Sequence, residues 1–470
     1  MIYESLRREE IPEEVLAAHR ALGPLNEEFL DFVAGTPAAL ERSSFQPVHD
    51  LAFYPLTSWP VFAGGEMLDE LTRASVELTR LIKKVPALTF KNDPTAIASY
   101  YKLASPQLAT MVLEEPNGFD AALARADLVI SPQGIKCLEV NLGCPGGLQV
   151  PAAEPAYLRC AVLAKFLADQ DRPVRVTSAL EVELTHVLSS VATEIAWPHS
   201  ELNTSFIATS ELAPEVKAET LRYTEPIYRS LLARHAPGKT GDLLIGSYRD
   251  LEDFPEHVAL RGRRLAAIIE LEQSQWHSTF RHFKSGRMKI FNGPCALILA
   301  DKRNLALLSE LERSPLLSAE ERAAISRWIP WSRPIKAGYS HRDGERLYLP
   351  EYISANRESL VMKPARSGKG ANVHLGRSTS PDLWTQVLRE ALAARDWIVQ
   401  DYHQSLPYLC QMGDRGCAVH DLVWGIFVFG SRYGGGFLRV MPRDLHVPIN
   451  SARGALEAIL FEVGAPRTDI

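Results

Sequence analysis

The 470-residue sequence lacks the features that mark several classes of protein. It contains no run of about 18 uninterrupted apolar residues, which argues against a membrane-spanning helix. Its opening, MIYESLRREEIPEEVLAAH, is charged every few positions, so we expect no secretory signal and a cytoplasmic location. The 51 basic and 57 acidic residues give a net charge of −6, which disfavours a general nucleic-acid binder or a binder of anionic membranes.

Cysteine is scarce, and three common motifs of catalytic or phosphate-binding sites are missing or incomplete. The six cysteines form no Cys-x-x-Cys pair and no Cys/His zinc pattern, so we expect a reducing compartment and a packing role for them. No His-Glu-x-x-His or Gly-x-Ser-x-Gly motif occurs, which leaves zinc-protease and nucleophile-elbow chemistry without support. Gly238-Lys239-Thr240 is similar to the end of a Walker loop, but Ala233 stands where the first glycine of that motif belongs.

Hydrophobic periodicity predicts a mixed α/β chain. Residues 1–90 have apolar residues at helical spacing, as in Ile11–Leu22 and Met67–Lys84. A short helical run at Phe119–Ala126 precedes a predicted hairpin with its turn at 132–134. Helices and strands alternate over 155–287, which favours a Rossmann-like unit with a parallel sheet. The last region contains helix Asn304–Glu312, strand Ser359–Lys363, helix Pro381–Arg395, strand Trp397–Gln400 and a Gly-rich hairpin region, Val423–Val440.

The hairpin region contains the most informative polar residues. Asp127 lies on its first strand, and Glu139 and Asn141 lie two positions apart on the second, so all three can share one face. Two carboxylates and an amide oxygen are the hard ligands that suit Mg²⁺. Arg125, on the same face as Asp127, can neutralise charge on a transferring phosphoryl group. The alternative is a solvated hairpin whose acidic residues face water.

A second group of polar residues belongs to the last region. Lys363 ends an apolar strand and is followed by a Ser/Gly-rich loop, whose backbone N–H groups can surround phosphate oxygens. Lys302 stands at a helix start, where a lysine is unfavourable unless an anion is present. Trp397–Tyr402 is a strand with a polar end, of the kind whose backbone can pair with an adenine edge. The structural alternatives are a plain Gly-rich hairpin, a surface lysine and an ordinary strand.

Together these motifs resemble the ATP-grasp ligases. The metal-binding half of that family carries Arg-x-Asp, then Glu-x-Asn and Pro-Gly, which Arg125, Asp127, Glu139, Asn141 and Pro145-Gly146 match in turn. The nucleotide-binding half is matched by Lys302, Lys363, Ser367, Gly368, Lys369, Gly370, Ala371, Gln400, Asp401 and Tyr402.

The order of the two halves resembles the circularly permuted branch, which includes the synthetase domain of glutathionylspermidine synthase. The resemblance implies an α/β (α+β) permuted ATP-grasp fold with an inserted Rossmann-like unit and a helical N-terminal region. Its parts would be a mostly helical region (1–90), the metal-binding half (91–154), the companion domain (155–287) and the nucleotide-binding half with a Gly-rich lid loop (288–470). One departure is an insertion rich in charge and Trp/Pro at Glu310–Tyr348, between the two lysines.

The resemblance also implies an ADP-forming carboxylate–amine ligase that uses ATP and Mg²⁺. A carboxylate would attack the γ-phosphate of ATP, and an amine would then displace phosphate from the acylphosphate. In this interpretation Asp127, Glu139 and Asn141 hold the metal, Arg125 is catalytic, and the residues of the nucleotide-binding half bind ATP. The expected partners are a small carboxylate and a small amine, with neither nucleic acid nor membrane. The alternatives are a non-catalytic ATP-binding module and a kinase that stops at phosphorylation.

Overall fold

The computed structural model describes residues 2–3, 7–34, 54–57, 59–114, 122–143, 145–272, 277–368, 370–411 and 417–464. These residues form a mixed α/β fold with a nine-stranded, a six-stranded, a four-stranded and a two-stranded sheet. The mixed α/β class predicted from periodicity is therefore confirmed. No helix among the described residues is long and apolar enough to cross a membrane.

The first elements are mainly helices. They are strand β1 (Ile2–Tyr3), helices α1 (Glu13–Leu22) and α2 (Pro24–Ala34), strand β2 (Val61–Ala63), and helices α3 (Gly65–Phe90), α4 (Pro94–Tyr101) and α5 (Pro106–Leu113). The side chains of Asp93 and Ser105 cap α4 and α5, and each cap is followed by proline at the first helical position. Helix α3 buries an apolar stripe that includes Leu71 and Leu78.

The predicted hairpin consists of β3 (Leu123–Ser131) and β4 (Gly134–Asn141), followed by α6 (Glu154–Leu158), α7 (Ala161–Ala168) and β5 (Val174–Arg175). The expected helix at Phe119–Ala126 is wrong where it can be checked, because Leu123–Ala126 belong to β3, whereas 119–121 lie outside the described residues. These residues pair with the later strand Cys417–Phe429, and this tertiary pairing outweighs the helix propensity of an Ala- and Arg-rich run.

The next region has the alternating pattern that the sequence predicts. Its elements are α8 (Ala179–Glu194), β6 (Asn203–Ala208), α9 (Pro214–His235), β7 (Leu243–Ser247), β8 (Leu251–Asp253), β9 (Val258–Leu260), β10 (Arg263–Glu270), α10 (Phe280–Lys284) and β11 (Lys289–Phe291). Strands β7, β6, β10 and β11 are parallel, and β8 and β9 add an antiparallel extension. A parallel sheet with helices between two pairs of its strands is therefore present in this region, whereas its identity as an inserted Rossmann-like unit stays a prediction.

A four-stranded antiparallel sheet, in the order β12-β17-β15-β16, follows. This region contains α11 (Ala296–Leu299), α12 (Arg303–Glu310), α13 (Ala319–Trp328), β12 (Ser332–Pro334), β13 (Tyr339–Arg342), β14 (Glu345–Tyr348), α14 (Leu349–Ala355), β15 (Leu360–Pro364), β16 (His374–Leu375), α15 (Pro381–Ala394) and β17 (Trp397–Asp401). Met362 and Val399 pack with Trp384 of α15 on one face. Because side chains alternate along a strand, Lys363 and Gln400 point to the opposite face.

The last strands complete the nine-stranded sheet. They are β18 (Tyr408–Gln411), β19 (Cys417–Phe429), β20 (Arg432–Pro442) and β21 (Leu456–Val463). The central order of this sheet is β2-β21-β20-β19-β3-β4. The β3–β4 hairpin therefore lies beside strands that follow it by almost three hundred residues, and this pairing positions the candidate site.

Candidate functional site

A cleft that is partly open to solvent lies between the nine-stranded and the four-stranded sheets. The predicted site residues on its wall are Asp127, Glu139, Lys302, Lys363, Ser367, Gly370, Gln400, Asp401 and Tyr402. Arg125 and Asn141 stand directly beside these wall residues, and Gly368 and Ala371 belong to the same Gly-rich loop. Lys369 lies outside the described residues. The fold thus brings together residues that the sequence distributes over almost three hundred positions.

The acidic end of the cleft is built on the β3–β4 hairpin. Asp127 pairs directly with Glu139 across the two strands, and Arg125 pairs with Asn141. The Asn141 side-chain amide donates to Asp127 Oδ2 at 3.2 Å and to Glu139 Oε1 at 3.4 Å. The shared face predicted from the strand period is therefore confirmed, whereas a metal-binding role for these three residues stays a prediction.

Two arginines clamp Asp127, whose side chain is buried. Arg125 Nε donates to Asp127 Oδ1 at 2.7 Å, and Nη2 of Arg439 lies 2.7 Å from Asp127 Oδ2 as an ion pair. Burial alone would raise the pKa of Asp127, but the two guanidinium groups outweigh burial and hold that pKa well below its usual range. Asp127 is therefore an anion at any pH near neutral.

Arg439, on β20, is a site residue that the sequence reasoning missed. It is 5% exposed and stands opposite Glu457 of β21, whose pKa is raised by burial. The available signal is the run Phe437-Leu-Arg-Val-Met441, in which a charged residue interrupts an apolar strand. A buried cation needs an anionic partner, so a charged residue within an apolar strand indicates a buried ion pair at that position.

Close packing fixes the side chain of Arg125. Its guanidinium carbon lies 5.4 Å from the centre of the Phe437 ring, and Nη1 donates to the carbonyl of Gly146. A Cβ at Gly425, the residue paired with Asp127 on β19, would lie 2.8 Å from the Phe437 ring and 3.0 Å from Arg125 Cδ. Glycine at 425 therefore leaves the space that the arginine and the aromatic ring occupy.

Both predicted lysines reach the acidic end from the opposite wall. Lys363 is 6% exposed, and its Nζ donates to the Leu138 carbonyl at 2.7 Å and to Gln400 Oε1 at 2.8 Å. Burial lowers the pKa of Lys363 to about 8. Lys302, at the N-cap of α12, donates to the Ser367 carbonyl at 2.6 Å and lies 3.3 Å from Glu139 Oε2. Lys363 thus bridges the two sheets directly, and Lys302 links the loop after β15 to Glu139.

The Gly-rich loop lies near a second loop at the edge of the cleft. Gly370 has a φ of 66°, and Ala371 N–H donates to the Gly368 carbonyl at 3.0 Å. A Cβ at Gly370 would lie 3.2 Å from Arg453 Nε and 3.4 Å from Asn450 Cβ. Because Asn450 also lines the cleft, the two loops border the same opening.

The end of β17 forms the remaining polar edge. The Gln400 side chain accepts from Lys363 and donates to Ser332 Oγ at 3.0 Å. The Asp401 carboxylate accepts two hydrogen bonds from Arg342, so this side chain is already engaged. The Tyr402 N–H donates to the Ser359 carbonyl at 2.8 Å. Any contribution of Asp401 and Tyr402 to base recognition therefore falls mainly on their backbone carbonyl groups.

The donor chemistry of the acidic end fits Mg²⁺ in part. Glu139 is 24% exposed at its side chain, faces the cleft and has Asn141 beside it. Asp127 is held by Arg125 and Arg439 and would have to exchange one of these contacts for a metal. The described residues contain no group of three or more His, Cys, Asp or Glu placed to hold a metal. A metal here would depend on two carboxylates, one amide and the oxygens of a phosphate ligand.

Comparison with known proteins gives a likeness in fold. No protein-family model matches the chain, and no curated protein matches it. The structure of a glutathione synthetase-like effector from Globodera pallida is similar, with a TM-score of 0.53 and 12% identity over 96% of this chain and 99% of that chain. A putative γ-glutamylcysteine synthetase from Methylobacillus flagellatus aligns with a TM-score of 0.42 and 10% identity over 81% of this chain and 86% of that chain. At 12% identity the first likeness concerns the fold alone.

Proposed function

We propose that the protein is an ATP-dependent carboxylate–amine ligase that forms an amide bond through an acylphosphate and releases ADP and phosphate. One observation carries this proposal: two lysines on one wall of the cleft face a carboxylate–amide cluster on the other wall, and two arginines hold the aspartate of that cluster. Cations for phosphate groups and oxygen ligands for a metal are the parts that phosphoryl transfer requires.

The side chains on the walls of the cleft favour one orientation of a bound nucleotide. Val361 and Leu375 line it from the four-stranded sheet, and Val423 and Met441 line it from the nine-stranded sheet. Two apolar walls suit a flat base, and the end of β17 adds polar backbone groups beside them. In this orientation Lys363 and Lys302 would lie along the phosphates, and the γ-phosphate would point toward Glu139.

The acidic end would hold the reacting groups. Glu139 and Asn141, together with Asp127, would hold a Mg²⁺ ion, whose chemistry is to offset negative charge on the β- and γ-phosphates. Arg125 and Arg439 would bind the transferring phosphoryl group and the substrate carboxylate, since guanidinium groups match both anions. Asp127, in contact with both guanidinium groups, holds the two arginines in place.

The proposed reaction has two balanced steps. An oxygen of the substrate carboxylate forms a bond to the γ-phosphorus while the bond to the bridging oxygen breaks, and ADP leaves with that electron pair. The amine nitrogen then attacks the acyl carbon, phosphate leaves with the carbon–oxygen bonding pair, and the amine loses a proton. Water would destroy the acylphosphate, so closure of the loops at Ser367–Ala371 and Asn450–Arg453 would protect it.

We also propose that the fold is the circularly permuted ATP-grasp form, with the parts 1–90, 91–154, 155–287 and 288–470. The pairing of the early hairpin β3–β4 with β19 supports this order, because the acidic cluster precedes the lysines in sequence yet shares their cleft. The insertion at Glu310–Tyr348 contains α13 and the β13–β14 hairpin.

A single assay separates the candidate activities. ADP release is measured with pairs of amino acids and amines, with mass detection of products, and each pair is repeated without the amine. A ligase releases ADP and yields an amide only when both substrates are present. Release of ADP with a stable phosphorylated acid and no amide would indicate a kinase. ATP binding with no ADP release from any pair would favour the non-catalytic module.

A further inference from the structure

We propose that Arg342, on the β13–β14 hairpin, is a positioning residue that fixes the base-recognising end of β17 and thereby sets the preference for adenine. The proposal rests on the nucleotide site of the proposed function. It adds a role for the insertion at Glu310–Tyr348, which the family resemblance left without one.

Arg342 binds the end of β17 through a bidentate contact. Its Nη1 and Nη2 donate to the two carboxylate oxygens of Asp401 at 2.7 and 2.9 Å. The guanidinium also lies against two aromatic rings, 5.1 Å from the centre of Trp331 and 5.6 Å from that of Tyr352. A planar fork held between rings and a carboxylate has little freedom, so it transmits the hairpin's position to Asp401.

The hairpin itself is fixed to the sheet on its other side. Arg333, on β12 next to β17, donates to Ser340 Oγ at 2.9 Å and to the His341 carbonyl at 2.7 Å. The N–H of Asp401 donates to the Trp331 carbonyl at 2.9 Å. These contacts form a closed ring of interactions from β12 through the hairpin to Asp401. Loss of Arg342 removes the contact to Asp401, the member of this ring that borders the cleft.

The backbone beyond Asp401 offers the groups that recognise a base. Asp401, Tyr402 and His403 all line the cleft. The Tyr402 N–H is occupied by Ser359, whereas the N–H of His403 has no hydrogen-bond partner within the part of the chain that the structure describes. This segment therefore presents carbonyl acceptors next to one free N–H donor at the cleft.

This order of acceptor and donor discriminates between purines. Adenine has an amino donor at N6 next to an acceptor at N1, which complements a carbonyl followed by an N–H. Guanine has an acceptor at O6 next to an N1–H donor, which is the reverse pattern. A site whose polar groups are held in place rejects the mismatched base strongly, but a mobile segment can adapt to either.

The experiment compares Arg342→Gln with Arg346→Gln in the full-length protein. Arg346 lies on the same hairpin, is exposed and stacks on Tyr339, so its replacement is the matched control. Titration calorimetry measures the affinities for ATP, GTP and inorganic tripolyphosphate. We expect Arg342→Gln to weaken ATP binding about tenfold, to leave tripolyphosphate binding within about twofold, and to reduce the ATP-over-GTP preference. Arg346→Gln should match the unaltered protein for all three ligands.

A double substitution tests the route of the effect. If Arg342 acts through Asp401, adding Arg342→Gln to an Asp401→Asn protein should weaken ATP binding less than it does alone. Equal losses for ATP and tripolyphosphate in Arg342→Gln would overturn the proposal, as would unchanged ATP affinity and base preference. Should Arg342→Gln fail to fold, Arg342→Lys, which keeps the charge but not the bidentate geometry, gives the same comparison. An unaltered protein that binds no ATP would instead overturn the proposed function itself.

Discussion

Replacement of Lys363 by methionine tests the nucleotide site through a residue with known contacts. Methionine keeps most of the side-chain volume but removes the charge and two hydrogen bonds, those to the Leu138 carbonyl and to Gln400 Oε1. A lost contact between a charged group and a phosphate costs about 1.5–3 kcal/mol, which is about a 10- to 150-fold rise in the Kd for ATP. Calorimetry at pH 7 measures this rise directly.

The pKa of Lys363 adds a signature that simple damage would not produce. With a pKa of about 8 in the free protein, Lys363 is charged at pH 7 and mostly neutral at pH 9. Phosphate binding favours the charged form, so above pH 8 the free protein must take up a proton as it binds ATP. The Kd should be flat below pH 8 and then rise by up to about tenfold per pH unit. Lys363→Met should lack this rise.

The matched control is Lys239→Met. Lys239 also donates to carbonyl groups, those of Trp197 and His199, but these lie away from the cleft. The Lys239→Met variant should bind ATP with the affinity of the unaltered protein at every pH. Both variants should unfold cooperatively in chemical denaturation. Unchanged ATP affinity in Lys363→Met, with the alkaline rise intact, would refute the placement of Lys363 beside the phosphates.

Three further predictions concern the acidic end, its packing and the N-terminal helices. Glu139→Gln keeps the shape of the side chain but removes a ligand charge, so ADP release should fall by about 10²–10³-fold with the melting temperature nearly unchanged; a normal rate would remove Glu139 from the site. Gly425→Ala should lower the free energy of unfolding by about 1–3 kcal/mol, because the added Cβ would contact Phe437. The control is Gly65→Ala, which should leave the free energy of unfolding unchanged, because a Cβ there meets nothing within 4 Å. Equal unfolding free energies for the two variants would contradict the packing argument. His19 accepts from the Leu409 N–H, and burial lowers its pKa to about 4. The folded protein therefore binds fewer protons than the unfolded chain between pH 4 and 6.5, so about 3 kcal/mol of stability present above pH 6.5 should be lost as the pH falls to 4, and His19→Gln should flatten that dependence in denaturant titrations.

Local sequence patterns were sufficient to predict the strands and the loop that carry the candidate site. The strand period placed Asp127, Glu139 and Asn141 on one face, and the β3–β4 register has Asp127 and Glu139 directly opposite each other. Lys363 at the end of an apolar strand, followed by glycines, predicted β15 and the loop after it. These inferences depend on residues close in sequence, where alternation and turn chemistry act directly.

Contacts between distant segments could not be obtained in this way. Periodicity marks Arg439 as an exception in an apolar strand but gives no partner, and its partner Asp127 lies far upstream. The pair formed by Arg342 and Asp401 depends on how the insertion folds back onto β17. The helix expected at Phe119–Ala126 was wrong over Leu123–Ala126 for a related reason, since pairing with β19 decides the conformation of these four residues.

The transfer of ¹⁸O from the substrate carboxylate tests the acylphosphate mechanism most directly. Once the ADP-release assay has identified a substrate pair, the acid is labelled in its carboxylate and the products are analysed by mass spectrometry. The proposed mechanism predicts one ¹⁸O in the released inorganic phosphate, and it predicts that Arg125→Ala slows this transfer far more than it weakens ATP binding. Label in AMP, or an Arg125→Ala protein that loses only ATP affinity, would contradict the mechanism.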